Sequence, residues 1–346
     1  VPGAGAGLVH GDPDREGCGK CGIANKPRED RVRASAAATD GTAGDSENAG
    51  YRTSCLLSAL AHEWSVTGDV RVRQRAHQVA AAVEMLEQVT GVPGMTTRQY
   101  KFMQGPGHDE GGWLEDKWHQ CRFYRWQDNV STDEMTWYLT GLSDYILLCG
   151  EGEYRRRASA VVRRVVGRML DHGMRIVYAD GTTTTWGDCS RATPREPLFC
   201  LHGLAYLKAG ELYAFEERFA DAYDEYVRDE EYLENAVHCY QRGLPARNWA
   251  TYDWQLASPD FERLIRFDKD PHRRKRLKQG VLEMTAAPEA TVHPHLCAAI
   301  FGMGGNDKVQ EWLTAFNPSE KHGIDKGWYL WIYWKARAFG VVGEND

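Results

Sequence analysis

Carboxylates and aromatic side chains crowd one short stretch of the chain, FYRWQDNVSTDEMTWYLTGL, at residues 123–142. Its carboxylates are Asp128, Asp133 and Glu134. Hydrolysis of a glycosidic bond needs two carboxyl groups, about 5–5.5 Å apart for retention of configuration and about 6.5–9.5 Å apart for inversion. The stretch therefore predicts Asp128 and Asp133 as an acid–base pair, with Glu134 as a further candidate.

A second chemistry fits the same part of the chain. β-Elimination from a uronate sugar needs a base such as Tyr or His, together with groups that neutralise the uronate carboxylate. Tyr138 or His119 could be the base, and Arg98 and Asn129 could neutralise the carboxylate. The residue types alone leave hydrolysis and elimination open.

Helix initiation explains part of the carboxylate density. Ser131 is followed three residues later by Glu134, just before an apolar run, and this spacing is a capping box. Asp133 would lie in the first helical turn, where a carboxylate is favoured by about 0.3–1 kcal/mol. Asp128 precedes this helix, so capping does not explain it.

Two segments could form the walls of a binding groove. The connection from Gly91 to Val130 lacks helical periodicity and is rich in aromatic and ionisable side chains, and long connections of this kind are often functional. The second segment is TTTTWGDCS at 182–190, which follows a predicted hairpin. Its alternative interpretation is a hairpin that packs on a buried tryptophan of the core. The candidate substrate-binding residues are Arg98 as an anion clamp, Trp113, Trp126 and Trp186 as stacking platforms, and His119, Arg125, Asn129 and Asp188.

The spacing of cysteines and histidines does not predict a metal site. Cys18 and Cys21 form a CxxC, but no second ligand pair follows, and His293 and His295 have no third ligand nearby in the sequence. We expect a local disulfide or free thiols, no bound metal and no cofactor. His202, inside an apolar helical run, is typical of a core or interface histidine.

Helical periodicity dominates the chain from Tyr51 onward. Residues 51–68 and 69–91 predict one helical hairpin, and residues 131–150 and 153–173 predict a second. Further helices are predicted at about 196–213, 216–227, 230–241, 271–285, 293–303, 307–315 and 325–338.

This pattern predicts an all-α protein with one β-hairpin around Asp180-Gly181, a dipeptide typical of hairpin turns. Helical hairpins that each bury one face must close on their neighbours in a bundle, a solenoid or an (α/α) toroid. No repeat of fixed length is visible, which disfavours the regular solenoids. Residues 49–346 therefore predict one domain, and residues 1–48, rich in Gly, Ala, Asp and Ser, predict an extended polar arm.

The charge balance and the hydropathy pattern argue against several classes of partner. The net charge is −7, from 42 basic and 49 acidic residues, whereas a nucleic-acid-binding protein usually shows a basic stripe. No apolar run approaches the length of about 20 residues that a membrane helix needs, and the N-terminus shows no signal-peptide pattern. The 12 Trp and 16 Tyr residues are typical of glycan-binding grooves, or of closely packed helix interfaces.

Several longer segments resemble a family of bacterial (α/α)-toroid, carbohydrate-associated proteins, akin to six-hairpin glycosidases and toroid polysaccharide lyases. The similarity runs from about residue 51 to residue 340. It implies a closed toroid of helical hairpins and a carbohydrate partner. The resemblance is carried by SALAHEWSVTGD, EQVTGVPGMTTRQY, a Trp-x-x-D/N-x-S-x-D-E segment, LDHGMRIVYADGTTTTWGD and GWYLWIYWKARAFG.

The family motif WKGDTSSDEVxGH can be laid over the stretch that begins at Trp126. Trp126, Ser131, Asp133 and Glu134 then match the motif. The first Asp of the motif falls on Asn129, and its final His falls on Tyr138. If the acid of the motif is the catalytic one, this chain could be inactive.

Two functions are therefore expected, and they belong to different classes. The first is a glycan-binding protein that cleaves its ligand, as a glycoside hydrolase or a polysaccharide lyase. The alternative is a non-catalytic structural or glycan-binding module of an assembly, in which the arm at 1–48 docks onto a neighbouring copy. Either protein would act outside the cell or at the cell surface. A third class, a helical protein-interaction repeat, would instead expose a concave apolar face.

Overall fold

Helices make up most of the computed structural model, which describes residues 49–102, 118–121, 124–192, 196–243, 251–316 and 323–343. The arm predicted at 1–48 lies outside these residues. The helices of the described part are α1 (Ala49–Thr67), α2 (Val70–Gln88), α3 (Thr132–Asp144), α4 (Gly152–Asp171), α5 (Pro197–Tyr213), α6 (Glu217–Arg228), α7 (Glu230–Val237), α8 (Cys239–Gly243), α9 (Thr251–Phe267), α10 (Pro271–Thr285), α11 (Val292–Ile300), α12 (Asn306–Ala315) and α13 (Gly323–Ala338).

Most of the predicted helices are confirmed, including both hairpins near the N-terminal end of the domain. The predicted helix at 230–241 is divided, because His238 leaves the helical conformation between α7 and α8, with φ −101° and ψ 32°. The sequence did not predict α9. Pro259 lies inside that helix, and a proline in a helix interior removes a backbone donor and usually ends the helix.

Two small antiparallel sheets accompany the helices. The first contains β1 (Gln99–Phe102), β2 (Trp118–Cys121) and β3 (Tyr124–Gln127) in the order β1-β3-β2, and the second pairs β4 (Arg175–Val177) with β5 (Thr183–Asp188). The second sheet confirms the predicted hairpin. The first corrects the expectation that the connection from Gly91 to Val130 is without secondary structure. Its strands have four residues each, too few for an alternating pattern to be visible in the sequence.

Helix contacts run in a cyclic order through half of the helices. Helix α1 packs on α3, α3 on α5, α5 on α9, α9 on α11, α11 on α13, and α13 returns to α1. The intervening helices α2, α4, α6, α7, α10 and α12 pack on members of this series. The apolar core follows the same helices, and Leu57, Leu139 and Leu204 are completely buried in it. In the described part of the chain, no helix has both the length and the apolarity needed to cross a membrane.

Candidate functional site

A histidine and an aspartate meet at the edge of the first sheet. His119 on β2 lies directly opposite Trp126 on β3, and their rings stack with centroids 4.2 Å apart and planes 18° apart. Asp128 lies just beyond the end of β3, and its Oδ2 is 2.7 Å from Nε2 of His119. The register of the two strands therefore brings together His119, Trp126 and Asp128, which the sequence predicted as candidates for different roles.

The burial of this pair is uneven. The side chain of His119 is 22% exposed and that of Asp128 is 6% exposed. An ionised carboxylate accepts hydrogen bonds only, so a charged Asp128 places the imidazole hydrogen on Nε2 and leaves Nδ1 as the acceptor. A histidine that is held by a buried carboxylate and keeps one solvent-accessible edge has the arrangement of a proton-transfer group.

Asn129 ties the two sheets together. Its backbone is left-handed, with φ 59°, and Asn tolerates this conformation better than most residues. Its Oδ1 accepts hydrogen bonds from the Tyr178 hydroxyl at 2.8 Å and from the backbone N–H of Thr185 at 3.2 Å. The Thr184 hydroxyl donates to the carbonyl oxygen of Val130 at 2.8 Å.

The capping box at the start of α3 is present, as predicted. The side chain of Glu134 accepts from the backbone N–H of Ser131 at 2.8 Å. Arg98 forms an ion pair with Glu134, with Nη2 at 3.2 Å from Oε1, and donates from Nη1 to the carbonyl oxygen of Asn129 at 3.1 Å. Burial raises the pKa of Glu134, and Arg98 partly offsets that rise. In this conformation Arg98 therefore binds an internal carboxylate.

Asp133 is half-buried in the first turn of α3, and its charge acts on Tyr51, a residue that the sequence did not predict for the site. The Tyr51 hydroxyl donates to Oε1 of Gln255 at 3.2 Å, which joins the first turn of α1 to the second turn of α9. Burial raises the pKa of Tyr51 well above its ordinary value, and the charges of Cys55, Asp133 and Glu134 raise it further. No local motif marks Tyr51 or Gln255, because their proximity depends on how distant helices pack.

Tyr138 is the other base that the sequence predicted. Tyr138 is buried, and its hydroxyl has no hydrogen-bond partner among the described residues. Burial raises its pKa well above the ordinary value, and nearby Glu87 and Glu84 add to the rise. Tyr138 therefore presents no hydroxyl to a ligand in this conformation.

On the second sheet, Trp186 is 58% exposed. Asp188 forms an ion pair with Arg175 at 3.1 Å. Burial raises the pKa of Asp188, but hydrogen bonds from Ser190 and Arg175 lower it more. Arg125 is half-buried on β3. Trp113 lies outside the described residues.

A second histidine–aspartate pair lies inside the helical core. Nδ1 of His202 is 2.6 Å from Oδ2 of Asp260, and both side chains are fully buried. The hydroxyls of Thr136 and Tyr206 are 2.8 Å apart beside this pair. The sequence suggested a core histidine at 202, and the burial agrees. Its partner Asp260 lies in α9, the helix that the sequence did not predict.

Potential metal ligands and thiols can be located among the described residues. Among the described residues, no group of three or more His, Cys, Asp or Glu side chains could hold a metal ion. Cys18 and Cys21, the two cysteines of the CxxC, lie outside the described residues. The cysteines whose side chains are described are buried and free of disulfides, and they are Cys55, Cys149, Cys189, Cys200, Cys239 and Cys297.

A small cavity lies beside Asn129. It is lined by Met95, Asn129, Tyr178 and their neighbours and has a volume of about 10 Å³, which is roughly what one water molecule needs. A sugar ring does not fit in this cavity.

Comparison with known proteins identifies no relative. No family model matches the chain, and neither the curated proteins nor the solved structures contain a match. The resemblance to toroid glycosidases and lyases thus depends on the short motifs quoted above. Function is inferred from the geometry of this chain.

Proposed function

We propose that the helices close into an (α/α) toroid. The cyclic order of contacts from α1 through α3, α5, α9, α11 and α13 back to α1 supports this architecture. These six would form the inner ring, and the helices between them in sequence would form the outer ring. Because each inner helix is followed by at least one outer helix that returns the chain, all six inner helices would begin at the same end.

This arrangement collects the candidate residues at one end of the ring. Tyr51, Asp133 and Gln255 lie near the N-terminal ends of inner helices, and the hydrogen bond between Tyr51 and Gln255 supports their common location. Both sheets lie in connections that lead from an outer to an inner helix. A ligand entering this end would meet the His119–Asp128 pair at its rim.

We propose that the protein binds an acidic glycan there and cleaves it. The observation that supports this most directly is the His119–Asp128 contact of 2.7 Å, with the histidine stacked on Trp126 and partly exposed. His119 would take the proton from the carbon next to the uronate carboxylate. The released electron pair would form a double bond to the neighbouring carbon as its bond to the glycosidic oxygen breaks, and that oxygen would leave as a hydroxyl after taking a proton from solvent. Asp128 would position the imidazole ring. Elimination is better supported than hydrolysis, because the carboxylate that hydrolysis would use is bound to His119.

The test is an assay of polysaccharides with two product readouts. Unsaturated uronates, detected by ultraviolet absorbance, report elimination, and new reducing ends without that absorbance report hydrolysis. In His119→Asn we expect kcat/KM to fall by about 100-fold or more, the usual contribution of a general base. In Asp128→Asn we expect a smaller fall and a shifted pH profile of kcat/KM, because Asp128 acts through the imidazole.

The matched controls are His272→Asn and Asp221→Asn, which change the same residue types at exposed positions. Both should retain full activity. Activity that survives in His119→Asn would rule out the proposed base. Reducing ends without unsaturated product, lost in both Asp128→Asn and Asp133→Asn, would instead identify the carboxylate pair and hydrolysis.

A second candidate function is a non-catalytic glycan-binding module of an extracellular assembly. It is favoured by the engagement of Arg98 and Asn129 with internal partners and by the small cavity beside them. Affinity electrophoresis in polysaccharide gels separates the two functions. Retarded migration that depends on Trp126 or Trp186, without any product in either assay, would support the binding module.

A further inference from the structure

Phe215 is the most exposed large apolar residue in the described part of the chain. It lies in the connection between α5 and α6, is 75% exposed, and has a left-handed backbone with φ 57°. A positive φ is a genuine outlier for a bulky residue, and strained backbone conformations cluster at binding and switch sites. Both the strained backbone and the exposed ring are unfavourable in an isolated monomer.

A large polar cavity lies beside Phe215. Its volume is about 480 Å³, whereas a cavity of about 150 Å³ already holds a benzene ring. Glu211, near the end of α5, and Ala220, in the first turn of α6, both line it, so the exposed ring and the cavity lie side by side. The full lining consists of Lys208, Glu211, Ala220, Asp224, Val227, Arg228, Lys269, Asp270 and Arg273.

The charges around this cavity suit an aromatic ring better than an ion. Three cations and three carboxylates there form ion pairs with one another, namely Lys208, Lys269, Arg273, Glu211, Asp268 and Asp270. No net charge of this group is left for an ionic ligand to balance. Cations can also lie over aromatic rings, as Lys208 lies over Tyr223 with its ammonium group 3.6 Å from the ring centroid.

Helix α6 carries opposite charges at its two ends. Glu217 lies in the first turn and Arg228 in the last, both are exposed, and neither forms an ion pair within the described part of the chain. Two copies of α6 packed antiparallel would place Glu217 of each copy beside Arg228 of the other. The same arrangement would bring Phe215, which precedes α6, to Val227 and Arg228 at the cavity of the other copy.

Two exposed carboxylates lie between these ends of α6. Asp224 acts on the exposed ammonium group of Lys269, which offsets its charge. Asp221 forms no ion pair with any described residue, and its two copies would approach each other in the antiparallel arrangement. Like charges at close range repel each other, so Asp221→Asn should strengthen the association of two chains.

We propose that Phe215 anchors a two-fold homodimer in which the ring of each copy occupies the cavity of the other. A two-fold contact joins the same surface patch on both copies. A ring and a cavity that lie side by side on one chain therefore complement the cavity and the ring of the second chain. The proposal is independent of glycan cleavage, because none of its residues belongs to the site around His119.

The experiment is sedimentation velocity of the full chain. Association follows mass action, so the measurement covers concentrations from about 1 to 100 μM. We expect a monomer–dimer equilibrium that shifts to the dimer as the concentration rises. A monomer at every concentration would overturn the proposal and would leave the exposed ring to a different protein partner.

Two variants test whether the ring enters the cavity. Phe215→Gly keeps the left-handed backbone without strain, and it should raise the dimer Kd by about 30-fold or more, the loss typical of a central aromatic anchor. Ala220→Phe places a new ring in the cavity and should raise the Kd by a similar factor. The control is Leu330→Ala, which truncates an apolar residue that is 38% exposed on α13 and should leave the Kd unchanged.

An unchanged Kd in Phe215→Gly or in Ala220→Phe would overturn the proposal, as would an equal loss in Leu330→Ala. Far-ultraviolet circular dichroism checks that each variant is folded.

Charge reversal tests the antiparallel packing of α6. Glu217→Arg and Arg228→Glu should each raise the Kd by about threefold or more, because attraction between exposed charges becomes repulsion. The double variant restores opposite charges at the two ends and should recover the Kd of the parent chain. A local structural role of either residue would not produce this recovery, so a double variant that is weaker than both single variants would overturn the arrangement.

Discussion

Asn129 combines two structural roles in one side chain. Its φ of 59° places the backbone in the left-handed region just before α3, and its Oδ1 accepts from both Tyr178 and Thr185. The family motif has an Asp at this position. Both partners of Oδ1 are donors, so an oxygen acceptor at this place satisfies these two hydrogen bonds.

Substitutions at Asn129 separate the backbone role from the side-chain role. Asn129→Gly keeps the left-handed conformation without strain but loses two hydrogen bonds, so we expect a loss of about 1–2 kcal/mol in unfolding free energy. Asn129→Ala adds the strain of a Cβ at positive φ and should cost about 1 kcal/mol more. Asn129→Asp should stay within about 1 kcal/mol of the parent chain, since it keeps the acceptor.

Urea unfolding measures all three values. Equal stability of the Ala and Gly variants would show that φ at this position carries no energetic cost. A loss in Asn129→Asp as large as that in Asn129→Ala would show that the amide itself is needed.

At the residue scale, the sequence predicts which residues belong to the candidate site better than it predicts which residues they contact. The capping box of Ser131 and Glu134 is local and is predicted in full, because both groups lie within one helical turn. The sequence nominated Arg98, His119 and Asp128 as well. Their contacts are not predictable, because they depend on strand register and on the entry of the chain into α3.

At the scale of elements, α1 and α3 approach each other closely. A Cβ on Gly141 of α3 would overlap the backbone carbonyl group of Ser54 in α1. Ser58 of α1 also donates a hydrogen bond to Asp144 at the end of α3. This contact brings together the two helices whose first turns carry Tyr51 and Asp133.

Gly141→Ala should therefore destabilise the protein by about 2 kcal/mol or more, because two backbones would have to move apart. The control is Gly327→Ala in α13, where a Cβ would have no neighbour within 4 Å among the described residues. That change should raise the unfolding free energy by about 0.5–1 kcal/mol, the ordinary gain of Ala over Gly inside a helix.

Chemical denaturation of the two variants should thus give shifts of opposite sign. An unchanged unfolding free energy in Gly141→Ala would mean that α1 and α3 can move apart without loss of stability. Loss of stability in Gly327→Ala would mean that the surroundings of α13 are closer than the structure indicates.

The elements themselves were predictable where apolar residues recur at helical spacing on one face. Helix α4 is such a case, with Ala158, Val161, Val162 and Val165 all buried. Helix α9 was not, because it contains Pro259 and is buried on most sides, from Trp254 through Ile265. A helix that is buried all round shows no amphipathic stripe.

At the scale of the whole molecule, a cluster of charged side chains lies in the buried interior. Lys335 forms an ion pair with Glu262 at 2.6 Å, and its Nζ lies 3.8 Å from Oδ2 of Asp144. Nε2 of His62 is 3.3 Å from the same oxygen. These residues come from α13, α9, α3 and α1, so the cluster joins helices that are distant in sequence. No local pattern could have predicted this pairing.

Buried neutral histidines should make the stability of the molecule depend on pH. Burial lowers the pKa of His293 to about 3, whereas an exposed histidine titrates near about 6.5. Nδ1 of His293 is 3.1 Å from the Thr291 hydroxyl, and the ring stacks on Trp331. The unfolded chain therefore binds a proton at this site below about pH 6.5, while the folded chain does not until the pH approaches 3.

The stability contributed by His293 is therefore complete above about pH 6.5 and is lost as the pH falls toward 3. The slope is up to about 1.4 kcal/mol per pH unit, or about 2 kcal/mol between pH 6.5 and 5. Burial also lowers the pKa of His62, but its contribution is present in both the parent chain and the variant and cancels from their difference. In His293→Asn the fall in unfolding free energy from pH 6.5 to 5 should shrink by about 2 kcal/mol.

Urea unfolding at several pH values between 7 and 5 measures this difference. The comparison is between slopes of unfolding free energy against pH, so a loss of stability that is the same at every pH cancels. His272→Asn is the control, because that histidine is exposed at the start of α10, and its slope should equal that of the parent chain. An unchanged slope in His293→Asn would mean that His293 can be protonated without unfolding. Water would then have to reach the helix interface formed by Trp328 and Trp331, where the ring is now buried.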